Sequence, residues 1–335
     1  MSGKQDEQDE ARLRAAIEAY HASALAYAAV KLGLPGKMGT RRWTAEQLAT
    51  ELGLSRHPLL RVLRGLATIC ICEERADGTF ALTSLGRSLA RGSPSQLGEK
   101  VMIVVEQYWR PWSELLHTMQ TGTPAFESVF GTDVWTWRSE NFRAGDLFAA
   151  YLAGETFAHV DSVDLSAARS AADIGGGHGG LLAAILQAYP EMSGILFDLP
   201  GTLISAKKFL KSHGVDTRVT LVGGDFLAEI PVEADVYVLK DVLQHWDDAA
   251  ARTILESCRE AMPEYARLLV IERLMPDRAM DDASAVMVDL HMMAISGSRL
   301  RMLDEYRQLV KKAGLALANV TSTRSRLSII ETVPA

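Results

Sequence analysis

The stretch Ala172-Asp173-Ile174-Gly175-Gly176-Gly177-His178-Gly179-Gly180-Leu181 decides the fold class. An apolar run enters a cluster of glycines and leaves it as an amphipathic segment, the pattern of a strand turning tightly into a helix. Glycines let the backbone pass close beneath a nucleotide-like ligand, where any β-carbon would collide. Gly175, Gly177 and Gly180 also satisfy GxGxxG, so the turn alone is compatible with a dinucleotide. Asp198, at the end of the next apolar run, could hold ribose hydroxyls in either case.

Downstream of this turn, strands and helices alternate. Strands are expected at 171–174, 194–197, 219–222, 235–239, 268–272, 315–321 and 327–332. Helices are expected to begin near Gly179, Gly201, Leu227 (a short one) and Asp247, and another near Met302. Such alternation implies an α/β domain over residues 166–335, with a mainly parallel, doubly wound, Rossmann-like sheet covered on both faces. Ligands of these sheets bind at the carboxyl ends of the strands.

Upstream the character changes. Residues 11–116 read as mainly helical, with Ala22, Leu25, Ala26, Ala29 and Val30 at three- and four-residue steps. Thr44-Ala45-Glu46-Gln47 forms a capping box, Gly53 makes a turn, and Ser55 caps a second helix over 58–66. The segment 70–83 reads as a hairpin turning at Ala76-Asp77-Gly78. Helix, turn, helix and hairpin make a winged-helix pattern, used either to bind DNA or as a scaffold for dimerisation. Eight arginines against five acidic residues between Arg41 and Arg91 are a modest excess. The candidate recognition helix is leucine-rich and carries no base-reading Asn/Arg set, so the scaffold reading is preferred. Between the two halves, residues 117–165 read as a helical connector and pocket wall. Aromatic residues crowd this region, from Tyr108, Trp109 and Trp112 to Tyr151 and Phe157, although helical packing alone can produce such stripes.

Composition narrows the function classes. The chain of 335 residues has 48% hydrophobic and 23% charged residues and a net charge of −7, which argues against nucleic acid as the main partner. No apolar run approaches the ~20 residues of a membrane-spanning helix, and the first ten residues are polar and acidic, so neither a membrane nor export is expected. Cys70, Cys72 and Cys258 are too few for a disulfide framework; Cys70 and Cys72 read as alternate residues of a strand, and all three thiols as core packing in a reducing cytoplasm. No His/Asp/Glu grouping has metal-ligand spacing.

Chemistry gathers at the later strand ends. Gly224-Asp225-Phe226 offers a carboxylate for an adenine amino group beside an aromatic ring. Tyr237 to Asp248 reads Tyr-Val-Leu-Lys-Asp-Val-Leu-Gln-His-Trp-Asp-Asp. The set DIGGGHGG, FDLP, GGDFL, VLKDVLQHWDD and VIERLMP, in this order and spacing, resembles the S-adenosylmethionine-dependent O-methyltransferases of the plant caffeate and bacterial polyketide type. The resemblance extends over the winged-helix half and the late Asp289-Leu290-His291-Met292-Met293 segment. It implies S-adenosylmethionine as cofactor, held by Asp173, Gly175, Gly177, Asp198, Leu199, Asp225, Phe226 and Lys240. It also implies a homodimer acting on a small aromatic substrate, with Trp109, His291 and Met292 on the substrate side.

The catalytic positions depart from the pattern. Family members usually read Leu-His-Asp-Trp, with the histidine as general base; here Gln244 takes that place and His245 follows one residue later. The first of two assisting acids is present as Glu272, whereas Leu300 stands where the second, a glutamate, is usual. An activated methyl group can nevertheless be transferred largely by positioning, worth up to ~7–11 kcal/mol, whereas a general base adds ~10²–10⁴-fold. His245 is expected to act from its displaced position, with Gln244 and Glu272 beside it. The alternatives are His291 as base, or an acidic substrate that needs none. Other readings keep the cofactor for C- or N-methylation or a non-methylating reaction, assign a nicotinamide-dependent oxidoreductase, or make the chain a DNA-binding regulator.

Overall fold

The computed structural model describes residues 2–155, 163–323 and 326–335. Phe157 lies outside them. They form two compact units, Met1–Arg110 with Asn141–Tyr151, and Pro111–Glu140 with Leu152–Ala335.

In the first unit, Thr44 opens the helix Ala45–Leu52 with both bonds of a capping box. Its hydroxyl accepts from the Gln47 N–H at 3.1 Å, and its own N–H donates to the Gln47 side chain at 2.9 Å. Gly53 ends that helix in a left-handed conformation, φ +65°. The next helix, Arg56–Thr68, begins earlier than expected and takes Pro58 into its first turn, while the Ser55 side chain makes no capping bond. Strands β1 (Trp43–Thr44), β2 (Cys72–Glu74) and β3 (Thr79–Leu82) form an antiparallel sheet in the order β1-β3-β2. Leu34, Leu48, Leu63, Leu66 and Phe80 are buried at its core. Cys70 departs from the alternation read in the sequence: it is exposed, at φ +59°, in the turn between helix and β2, whereas Cys72 and Cys258 are buried.

The second unit is a mixed α/β fold around a mostly parallel seven-stranded sheet. Its strands are β4 (Ser170–Ile174), β5 (Ser193–Asp198), β6 (Val219–Gly223), β7 (Val236–Lys240), β8 (Arg267–Glu272), β9 (Leu315–Ser322) and β10 (Ser328–Pro334). They lie in the order β6-β5-β4-β7-β8-β10-β9, with β10 antiparallel to both neighbours. The central strands are covered on both faces, which is why they read as unbroken apolar runs. Tyr237 and Leu239 face one core, with Ile254 and Leu255 from the helix Asp248–Ala261. Val238 and Leu196 face the other, with Leu182 and Leu186 from the helix Gly180–Ala188.

The order of the parallel strands reverses between β4 and β7, so a crevice opens at the carboxyl ends of that pair. The short helix expected at Leu227 does not form. The Asp225 side chain accepts the Leu227 N–H at 2.9 Å and its carbonyl accepts from Ala228 and Glu229, closing a single turn. An additional helix, Ala283–Ile295, is capped by Asp282, which accepts from the Ala285 N–H at 3.1 Å. Among the described residues, no helix is long and apolar enough to cross a membrane.

Candidate active site

The glycine turn is shaped by what lies under it. Gly175 and Gly177 adopt φ +70° and +60°. A β-carbon on Gly176 would sit 2.4 Å from the Asp173 carboxyl carbon and 2.6 Å from Leu196, so only glycine fits there. Asp173 lies beneath the loop, 1% exposed, and its Oδ2 has no hydrogen-bond partner among the described residues. Burial pushes its carboxyl up to about 7, with Lys240 drawing it down and Asp198 pushing it further up.

Other sequence-predicted groups gather at neighbouring strand ends. Asp198 closes β5 and accepts the Gly177 N–H at 2.9 Å and the Leu199 N–H at 2.7 Å, which ties the glycine loop to the second strand. The Leu199 side chain is 58% exposed. Across the loop, the Phe226 ring comes within 3.3 Å of where a Gly175 β-carbon would stand, and meets Trp246 edge-on at 5.7 Å. Asp225 is exposed beside it. Lys240, at the end of β7, is ion-paired with Asp241, whose own φ of +53° turns the chain sharply away from the strand.

That turn leads into the segment 242–248, held from two sides by buried polar side chains. Glu272, fully buried at the end of β8, accepts from the N–H groups of Val242, Leu243 and Gln244 at 3.1, 2.8 and 3.4 Å. Burial and the nearby Asp241 raise its carboxyl well above the usual range. Arg301, also fully buried, donates to the carbonyls of Leu243 and Trp246, both at 2.6 Å, and to Asp248 at 2.9 Å. Gln244 is turned inward, its side chain reaching Asp241 at 3.4 Å. Leu300 is packed with Ala285 and Met292 in a small apolar cluster.

His245 is half-buried and stands against aromatic and polar neighbours. Trp135 meets its ring edge-on at 5.0 Å, and its Nδ1 lies 3.4 Å from the Ser298 hydroxyl. Burial pulls its pKa down to about 4; Asp241 opposes this and Arg138 adds to it. His291, on the helix Ala283–Ile295, accepts a hydrogen bond at Nδ1 from the Trp112 indole N–H at 3.0 Å. Burial and Arg138 bring it to about 4 as well. Arg138 is 7% exposed and lies over the Trp135 ring, 5.3 Å from its centroid. Trp109 lies in the first unit.

Sequence reading missed Trp112, Trp135, Arg138, Ser298 and Arg301 as members of the site. The aromatic crowding pointed towards the first two. Trp135 and Arg138, three apart on the helix Val134–Glu140, share a face that spacing alone could have paired.

A backbone cradle without β-carbons, a carboxylate with spare lone pairs at Asp198, a buried unpartnered oxygen on Asp173 and the wall made by Phe226 fit an adenosine-bearing ligand with a polar tail. The family model described as "O-methyltransferase domain" matches residues 112–316. The chain is similar to a phenazine O-methyltransferase of Lysobacter antibioticus, 38% identical over 95% of this chain and 94% of the relative. It is also similar to the O-demethylpuromycin-O-methyltransferase of Streptomyces alboniger, 34% identical over 96% and 89%. A solved O-methyltransferase from neocarzinostatin biosynthesis, in complex with S-adenosylhomocysteine and 1,4-dihydroxy-2-naphthoic acid, has a TM-score of 0.77 at 28% identity. That match covers 94% of this chain and 96% of the other.

Proposed function

The chain belongs to the O-methyltransferase family, and from that premise we propose that it methylates a hydroxyl on a small aromatic natural product, with His245 as proton acceptor. It is an S-adenosylmethionine-dependent methyltransferase. When bound, that cofactor supplies a methyl group already activated on a sulfonium. The cofactor residues in this reading are Asp173, Gly175 and Gly177 in the loop, Asp198 and Leu199 at the ribose, Asp225 and Phe226 at adenine, and Lys240 beside the loop. The aromatic acceptors named for its relatives support the substrate class.

The observation that carries the oxygen assignment is a neutral imidazole, His245, placed against Trp135 on the turn that follows β7. A phenol of pKa about 10 facing an imidazole near 4 transfers its proton uphill by about 6 units, roughly 8 kcal/mol, so the base needs help from its surroundings. The value near 4 already contains the contribution of Asp241, which favours the imidazolium. Glu272 and Gln244 act through the turn, the first by holding its N–H groups and the second by packing against Asp241.

We read residues 11–116, which include Trp109, as a winged-helix scaffold that pairs two copies of the chain, 117–165 as connector and pocket wall, and 166–335 as the cofactor domain of a cytoplasmic enzyme. Calorimetry with S-adenosylhomocysteine should give saturable heat at tens of micromolar. Methyl-labelled cofactor incubated with hydroxynaphthoates and hydroxyphenazines should yield a product whose label resonates as an O-methyl. A label on carbon or nitrogen would replace this reading with the corresponding methylation.

A further inference from the structure

We propose that Ser298 and Ser296 form a hydroxyl chain that holds the ring hydrogen of His245 on Nδ1, which leaves Nε2 as the nitrogen that takes the proton of the methyl acceptor. This deepens the methyltransfer reading above and rests on it for the final proton transfer alone, since the direction of the chain is a property of the protein without substrate.

The chain is built where two segments meet. The helix Ala283–Ile295 ends at Ser296, and Gly297, at φ +69°, turns the backbone so that the hydroxyls of Ser296 and Ser298 come together. One residue on, the Arg299 N–H donates to the Gln244 carbonyl at 3.3 Å, which ties this segment to the turn that carries His245. Ser298 is buried, and its Oγ lies 3.4 Å from His245 Nδ1. Among the described residues, the other ring nitrogen of His245 makes no hydrogen bond.

Counting hydrogens gives the direction. The Met292 carbonyl can only accept, so the Ser296 hydroxyl donates to it at 3.2 Å. That uses the one hydrogen Ser296 has, and its contact with Ser298 then requires the hydrogen of Ser298. Ser298 is left with lone pairs alone, so its contact with the imidazole requires a hydrogen on Nδ1. Running the chain the other way would set lone pairs of Ser296 and Met292 against each other at 3.2 Å, with no hydrogen between them. Burial keeps the ring neutral, with Asp241 favouring the imidazolium and Arg138 opposing it, so the ring carries one hydrogen and Nδ1 holds it. The lone pair falls to Nε2. When a proton arrives there, the Nδ1 bond to Ser298 stays in place and becomes charge-assisted. The chain ends on a carbonyl that passes no proton on. Ser298 and Ser296 are therefore positioning residues, and the proton stays on His245 until it departs from Nε2.

The test uses the full-length enzyme carrying nitrogen-15 histidine, with the His245 signals identified by their loss in His245→Gln. At neutral pH the wild type should show a protonated Nδ1 and a lone pair on Nε2. Ser298→Ala removes the acceptor and should release the tautomer with hydrogen on Nε2. It should also lower kcat about tenfold to a hundredfold, with KM values changed less than about threefold. Ser298→Thr keeps a hydroxyl and should restore the wild-type tautomer and most of kcat. Ser296→Ala leaves the ring untouched but frees the Ser298 hydrogen, and should admit the same second tautomer. A hydrogen on Nε2 in the wild type, a Ser298→Ala enzyme with tautomer and kcat unchanged, or a Ser298→Thr enzyme as impaired as Ser298→Ala overturns the proposal. An unchanged kcat in His245→Gln overturns the reading of His245 as proton acceptor instead, while the spectra still decide the direction of the chain.

Discussion

His245 and His291 are neutral at a pH where an imidazole in water begins to take up protons, because burial disfavours the charged ring and Arg138 adds to the effect. In the unfolded chain both bind protons near 6.5, whereas the folded protein binds them only near 4. The unfolded state therefore holds more protons in this window, and stability is fully present above pH 6.5 and lost as pH falls towards 4. Each histidine contributes a slope of about 1.4 kcal/mol per pH unit there. Asp173 and Glu272, whose carboxyls are raised, act in the opposite sense over the same window, so the histidine contribution is read as a difference: in thermal melts from pH 7.5 to 4.5, His245→Phe should gain on the wild type progressively as pH falls. The same shift places the acid limb of kcat/KM well below pH 6.5 if His245 accepts the proton, and His245→Gln should lower kcat by about 10²–10⁴-fold at neutral pH. A limb unmoved in that variant would assign the proton transfer to another group.

The turn 242–248 shows how one element is held by others distant in sequence. Its N–H groups end on the Glu272 carboxyl from β8, and two of its carbonyls on a cation that follows the helix Ala283–Ile295. Arg301→Met would leave the carbonyls of Leu243 and Trp246 without that donor, while Asp248, 62% exposed, can return to water. A loss of about 2–5 kcal/mol is expected, measured by urea unfolding, with a fall in kcat as the turn carrying His245 loosens. Arg301→Lys should recover little, since one ammonium cannot span three acceptors. An unchanged urea midpoint in the Met variant would show that the clamp contributes nothing. This element also marks where the sequence stops being readable. The central strands β4, β7 and β8 of the large sheet are visible as apolar runs because both faces are buried, and the glycine turn because Gly176 has no room for a β-carbon. The capping box at Thr44 was equally legible, being a local bond pattern. Aligning on a family motif drew attention to Leu300 as a missing acid, whereas the chemistry next to it lies in Arg301. The Trp112–His291 bond joins residues 179 apart, and no local periodicity records such a pairing. Asp225 misled in the opposite direction: a plausible helix start turned out to close a single turn with its own side chain and carbonyl.

At the scale of the molecule, the proposed pairing of two chains has a specific surface to explain. Leu13 and Ile17 on the N-terminal helix Ser2–Glu18, and Tyr20 just beyond it, are 62%, 66% and 53% exposed. Their spacing of four and then three residues puts them on one face, which a solitary helix would gain nothing by presenting to water. Burying an apolar side chain of this size contributes about 1.5–3 kcal/mol, and a two-fold contact counts each of them twice, enough to favour association at micromolar concentrations against the cost of joining two bodies. Sedimentation velocity should accordingly find a species of twice the 36.6 kDa chain mass. Leu13→Glu with Ile17→Glu places like charges where the two faces would meet and should shift the distribution to the single chain. The heat of S-adenosylhomocysteine binding should persist, because the residues proposed to hold that ligand belong to the second unit. A wild-type protein sedimenting as one chain would remove the pairing, and a double variant still sedimenting as two would move it to another face.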